Sequence, residues 1–178
     1  SGIVNRHDRE RADFKATHEQ MRRNHGKNVI IPLYWPVGQE ANFSRVVNVL
    51  FDKDIPSEIA EDVAECRALW LDAVAETDDE LMMRYLDGEE LTDEEIHTGL
   101  LKTIKTGRTI PVFAGSSVKD IGITELMDAI VELFPSPLNY VTVDGAKRKI
   151  GEECPPIGIV FKSLNDPFSG QLTFIRTV

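Results

Sequence analysis

The 178-residue chain is 42% hydrophobic and 28% charged, with a formal net charge of -10. That length supports one good core, or one domain with part of another. The negative balance argues against generic duplex binding, which draws on phosphate neutralisation by Lys and Arg, and no apolar run is long enough to span a membrane.

No charged-then-apolar leader is present, and Cys66 and Cys154 lie far apart in unlike surroundings, so a reducing cytoplasm is the expected setting. Neither a membrane nor sequence-specific DNA is an expected partner. The charge is uneven. From Asp52 to Glu95 there are 17 acids against 3 bases, a net of -14, so the rest of the chain carries +4. Such asymmetry predicts a separate acidic unit with mildly basic flanks.

Gly2-Ile3-Val4 reads as the end of a strand, followed by the polar loop Asn5-Arg6-His7-Asp8-Arg9. Asp13 is placed to cap a helix through His25, with Phe14 and Met21 on one face and Gly26 as its stop. A mostly apolar run from Asn28 to Tyr34 is interrupted by Pro32, and Trp35-Pro36-Val37-Gly38 reads as a turn. Ser44 to Phe51 is a further strand. Pro56-Ser57 opens a helix whose stripe Ile59, Val63, Cys66, Trp70 and Val74 is a core face.

Thr77-Asp78-Asp79-Glu80 and Thr92-Asp93-Glu94-Glu95 each fit a capping box, and Gly88 and Gly107 end the two helices. Ile96, Leu100 and Ile104 line the inner face of the second. Carboxylates crowding the first turns are favoured by the helix dipoles, which gives much of the acidity a structural explanation.

Ile110 to Ala114 is a short apolar run bounded by turn residues, as expected of a buried strand in a parallel sheet. The small-residue loop Gly115-Ser116-Ser117 follows. It reads either as an ordinary strand-to-helix turn or as a loop whose backbone N–H groups approach a ligand in the crevice beyond the strand ends. Thr124 then caps a helix with Leu126, Ile130 and Leu133 inward, Pro135 stops it, and Ser136 to Asn139 reads as a linker. Tyr140 to Val143, Ile157 to Leu164 and Gln171 to Val178 read as strands, and Asp144-Gly145 is a hairpin turn signal. These are too few strands to close a barrel or sandwich, so a fragment of a longer polypeptide is expected.

The two strand-end loops form one candidate constellation. A fixed carboxylate at Asp8 can accept hydrogen bonds from N1–H and the exocyclic amine of guanine, a donor pair that adenine lacks. A backbone N–H in Gly115-Ser116-Ser117 can donate to guanine O6. Asn5 can pin the loops together, and the stem and guanidinium of Arg6 can cover a purine face. His7, His18, His25 and His97 show no metal spacing, and His7 and His25 read as exposed loop residues. Ser116 has no sequence-local histidine base or nucleophile elbow, so no catalytic residue is assigned.

Val4-Asn5-Arg6-His7-Asp8-Arg9 with Ala12-Asp13-Phe14 is similar to the guanine-recognition loop and next helix of translation elongation factor G. Ala73-Val74-Ala75-Glu76-Thr77-Asp78, Tyr85-Leu86-Asp87-Gly88-Glu89-Glu90, Pro111-Val112-Phe113-Ala114-Gly115-Ser116, Leu133-Phe134-Pro135-Ser136-Pro137 and Asp166-Pro167-Phe168-Ser169-Gly170 continue the resemblance in order. It implies an α/β fold: the C-terminal part of a P-loop-type GTPase domain with a helical and β insertion, followed by the beginning of a β-barrel domain. The implied boundaries are a GTPase segment at 1–27, an inserted acidic subdomain at 28–109, the final GTPase strand and helix at 110–137, and the start of the barrel at 138–178.

The resemblance further implies a cytoplasmic, ribosome-associated factor that binds GTP or GDP and drives translocation. Asn5, Arg6, Asp8, Gly115, Ser116 and Ser117 would hold the base, with the Ser117 N–H on guanine O6. The acidic insertion would face the stalk proteins of the large ribosomal subunit, or be simply a solvated face. A ribosome-protecting or ribosome-recycling GTPase is the related alternative, and a nucleotide-independent module docking on stalk protein is a third reading. Lysine is usual where Arg6 stands and alanine where Ser117 stands, and the segment between Phe51 and Pro56 is short for the family. No Gly-x-x-x-x-Gly-Lys-Ser/Thr occurs, so the phosphate loop, the Mg2+ site and GTP hydrolysis are expected to need residues outside this chain.

Overall fold

A computed structural model describes residues 2–26, 28–134, 140–143, 146–149 and 158–177. The chain divides into two units, Ser1–Phe134 and Pro135–Val178. The first holds a parallel three-stranded sheet of β1 (Gly2–Val4), β2 (Ile30–Pro32) and β5 (Ile110–Ala114), in the order β1-β5-β2. Val112, Phe113 and Ala114 on the central strand are fully buried, as a continuous apolar run in a parallel sheet should be. Ile30–Pro32 falls inside the 28–109 segment yet pairs with β5, so that segment begins within the same sheet as the base loops.

Between β1 and β2 runs α1 (Phe14–His25), capped by Asp13, whose carboxylate accepts the Ala16 N–H at 2.9 Å, and closed at Gly26. After β2 the chain stays extended. Tyr34–Val37 is strand β3, antiparallel to β4 (Arg45–Asn48), which corrects the turn expected at Trp35-Pro36-Val37. Proline survives there because a two-stranded pair has a free edge that needs no N–H from Pro36. The strand expected at Ser44 to Phe51 is shorter, because Asn48 and Asp52 side chains turn the backbone after it.

Helices α2 (Ala60–Ala75), α3 (Asp79–Leu86) and α4 (Asp93–Lys105) then pack together. Val63, Cys66, Trp70 and Val74 are buried as the stripe requires, and the Trp70 indole N–H donates to the Pro32 carbonyl at 2.8 Å, fastening α2 to the sheet. Burial in that stripe pushes the Cys66 thiol up to about 12, so it is an inert core residue. The Arg67 guanidinium donates to the carbonyls of Val49, Leu50 and Asp52 and so fixes the link from β4 to α2. Thr92 and Glu95 make the predicted capping box. The α3 cap differs: Asp78 accepts from Glu80 and Leu81 N–H, while the Thr77 hydroxyl turns back to the Val74 carbonyl.

Helix α5 (Ile123–Leu133) follows and packs against α4. Its cap is Gly122 and not Thr124, and its inner face uses Ala129 and Leu133 with Leu126 partly buried, leaving Ile130 exposed. Among the described residues of the second unit, β6 (Tyr140–Val143) pairs antiparallel with β7 (Ala146–Lys149), and β8 (Gly158–Asp166) with β9 (Gly170–Thr177). The expected stop at Pro135, the linker Ser136 to Asn139, the Asp144-Gly145 turn and Cys154 lie outside the described residues.

Gly122 has φ 75°, and a Cβ there would lie 2.4 Å from the Ala114 carbonyl oxygen. Gly122→Ala combines left-handed strain with displacement of the strand that precedes Gly115, and should lower stability by about 1–3 kcal/mol. The check is the urea unfolding midpoint, which should fall without a change in slope.

Candidate functional site

The two predicted loops leave neighbouring parallel strands, and the backbone zips them together past the strand ends. Gly115 donates its N–H to the Val4 carbonyl at 3.0 Å and accepts the His7 N–H at 3.2 Å. Asn5 then ties the tips. Its Oδ1 accepts the Ser117 N–H at 3.1 Å and the Arg6 N–H at 2.7 Å, and its Nδ2 donates to the Ser117 hydroxyl at 3.1 Å. One side chain therefore joins segments 112 residues apart in the chain, as an amide with both an acceptor and a donor can.

This arrangement alters one expected role. The Ser117 N–H is already committed to Asn5, whereas among the described residues the next N–H, of Val118, finds no acceptor. Ser116 is fully buried and is the hinge of its loop: its backbone pairs both ways with Ile121, and its hydroxyl accepts the Lys119 N–H at 3.2 Å. That leaves it a structural hydroxyl. Gly115 serves the zipper between the loops.

Asp8 is partly exposed, but its Oδ1 is enclosed and has no hydrogen-bond partner. The Ser116 hydroxyl beside it, then its own backbone N–H and the charges of Lys119 and Arg9, hold its carboxyl below the ordinary value of 3.8. The group is thus an ionised acceptor whose Oδ1 is closed off beside the Ser116 hydroxyl, so the capacity it offers outward lies on the partly exposed rest of the side chain. Arg6 lies exposed at φ 64°, and its guanidinium has no partner among the described residues.

His7 departs from the expectation of an exposed loop residue. It is 2% exposed, its ring set edge-on to Phe43 at 4.9 Å and to Phe14 at 6.2 Å, with Nε2–H donating to the Gly38 carbonyl at 3.2 Å. Burial lowers its pKa. The segment that receives it, between β3 and β4, makes further contacts with both loops. Glu40 N–H donates to the His7 carbonyl at 3.1 Å, Glu40 Oε1 accepts the Arg11 N–H at 2.6 Å, and Lys119 Nζ reaches the Ala41 carbonyl at 3.2 Å. Sequence reasoning missed Glu40 and Lys119, and no local signal marks either, because their partners lie 29 and 78 residues away.

His7 also lines a cleft of about 700 Å³ with Asp13, Phe14, Trp35, Gln39 and Asn42, but none of the six predicted site residues does. Among the described residues no group of three or more His, Cys, Asp or Glu could hold a metal ion, and no helix is long and apolar enough to cross a membrane.

No family model matches the chain. A crystal structure designated ttk003000868, from Thermus thermophilus, is similar over 98% of this chain, with 28% sequence identity and a TM-score of 0.69. The match takes in 26% of that protein, so the chain spans about a quarter of its length.

Burial lowers the pKa of His18 as well as His7. The folded protein therefore binds fewer protons than the unfolded chain below the ordinary value of 6.5. Stability is complete above that pH and is lost as pH falls through 6.5 toward the depressed folded values. Urea midpoints should drop between pH 7.5 and pH 5.5, and His7→Gln should make the drop shallower.

Proposed function

We propose that the chain supplies the base-reading half of a guanine-nucleotide site in an elongation factor G-like translational GTPase. The observation that carries this reading is the pair of Asn5-bridged loops, with an ionised and partly exposed Asp8 carboxylate beside the Ser116 hydroxyl of the second loop. Rotation of the Asp8 side chain brings the enclosed Oδ1 out, so that the carboxylate accepts N1–H and the exocyclic amine of guanine; Asn5 holds the loops, and Arg6 covers the ring with its free guanidinium. With the Ser117 N–H engaged by Asn5, guanine O6 is served by the Ser117 hydroxyl hydrogen or the unpaired Val118 N–H, or by a shared Ser117 N–H.

The order of the motifs along the chain supports the finer reading of the fold: a GTPase sheet that resumes at β5 after an acidic insertion, and a second unit whose two hairpins begin a β-barrel. GTP or GDP is then the ligand of the whole protein, its phosphates and Mg2+ held by residues outside this sequence. In this reading the ribosome is the working partner, and the activity is GTP-driven translocation. The base loops alone are equally compatible with a ribosome-protecting or recycling GTPase, because specificity among these lies elsewhere in the protein.

Asp8→Asn exchanges a paired acceptor for one donor and one acceptor. Xanthine carries a carbonyl where guanine carries its amine, so the variant should bind GMP roughly tenfold more weakly than the parent chain and prefer XMP. Two-dimensional 1H–15N NMR titrations of the chain with GMP and XMP measure this directly. An unchanged base preference would sink the assignment.

A further inference from the structure

Four non-glycine residues among those described adopt positive φ: Arg6 at 64°, Arg11 at 63°, Glu40 at 54° and Asp120 at 58°. Each costs free energy and persists only where its surroundings over-determine it, and such residues cluster where geometry is held for function. Arg6 and Arg11 flank Asp8 in the first loop, and Asp120 lies in the turn that follows the second. Glu40 belongs to neither loop. It sits between β3 and β4, at the contact that segment makes with the first loop.

We propose that Glu40 is a positioning residue for base recognition, acting through the backbone on either side of Asp8. Its N–H holds the carbonyl of His7, one residue before Asp8, at 3.1 Å, and its Oε1 holds the N–H of Arg11, three residues after Asp8, at 2.6 Å. The left-handed backbone at Glu40 lets one residue present main-chain donor and side-chain acceptor to the same loop. The arc from His7 to Arg11 is thereby clamped at both ends. Overlapping its start, the Arg9 N–H to Arg6 carbonyl bond at 3.1 Å makes a tight turn around His7 and Asp8. The buried His7 ring on Gly38 and Lys119 on Ala41 secure the clamp to the hairpin and to the second loop. A carboxylate that must meet two donors on one base edge tolerates little displacement, so fixing both ends of its arc sets selectivity more than overall affinity. The inserted hairpin is thus a working part of the base site.

This inference rests on the guanine reading, and one experiment separates the two. IMP lacks the exocyclic amine of GMP, so the GMP-to-IMP affinity ratio reports how well Asp8 is aimed. That ratio is measured by 1H–15N NMR titration for the parent chain, Glu40→Gln and Glu40→Ala. Both variants remove the charge, but only Gln keeps an oxygen that can accept the Arg11 N–H. Glu40→Gln should retain the ratio, while Glu40→Ala should lose roughly tenfold of it and speed amide exchange at Arg11. A merely structural role would shift the urea midpoint and leave the ratio alone. A parent chain that does not distinguish GMP from IMP would overturn the guanine reading and this inference with it. A parent that distinguishes them, with Glu40→Ala equal to it, would overturn this inference alone.

Discussion

Everything at the candidate site depends on the side-chain amide of Asn5. Parallel strands bring their carboxyl ends to one edge but leave the loops beyond them free to diverge, since ladder hydrogen bonds stop where the strands stop. Gly115 prolongs the ladder by one step on each side, and Asn5 carries it to the loop tips by accepting two N–H groups and donating to a hydroxyl. Aspartate at that position would lack the donor, and alanine would leave two N–H groups without an acceptor. The approach of the two loop tips is set by this one group.

Holding a loop in place from one side is not enough, because the first loop runs seven residues from Asn5 to Arg11 before the Asp13 cap restores regular structure. The second support comes from the hairpin of β3 and β4. Its connecting segment receives the His7 ring in an aromatic nest with Phe14 and Phe43, where burial keeps the imidazole neutral near physiological pH. A neutral ring can pack edge-on against phenyl groups and still donate one hydrogen bond, which a solvated imidazolium would do only at a desolvation cost.

Periodicity carried the helices and the central strand, because those elements bury faces at fixed spacing: Val63, Cys66, Trp70 and Val74 could be read directly, as could Ile96, Leu100 and Ile104. What failed did so for local reasons. Trp35-Pro36-Val37 resembles a turn until a free sheet edge excuses its proline. The second hairpin's Ala146–Lys149 strand is three-quarters basic and shows no alternation. On α5 the step of four to Ile130 looked apolar enough, yet the smaller Ala129 faces the core. Loop chemistry was legible at Asn5, where donor and acceptor had an obvious use. It was not legible at His7, whose polar neighbours hid a burial imposed by residues thirty positions on.

The acidic stretch separates two effects that composition alone merges. Asp78, Thr92 and Glu95 make real caps, and the Thr92 backbone N–H with Arg84 pulls the Glu95 carboxyl down to about 2. Asp62, Glu65 and Asp54 meet Lys15, Arg22 and Arg45. Yet a helix N-terminus offers only about half a positive charge. Against it α3 sets Asp78, Asp79 and Glu80, and α4 sets Asp93 and Glu94 besides the paired Glu95. Capping therefore explains where these carboxylates sit but not how many there are. The excess faces solvent, as do Met83 and Leu86, which α3 leaves 68% and 73% exposed.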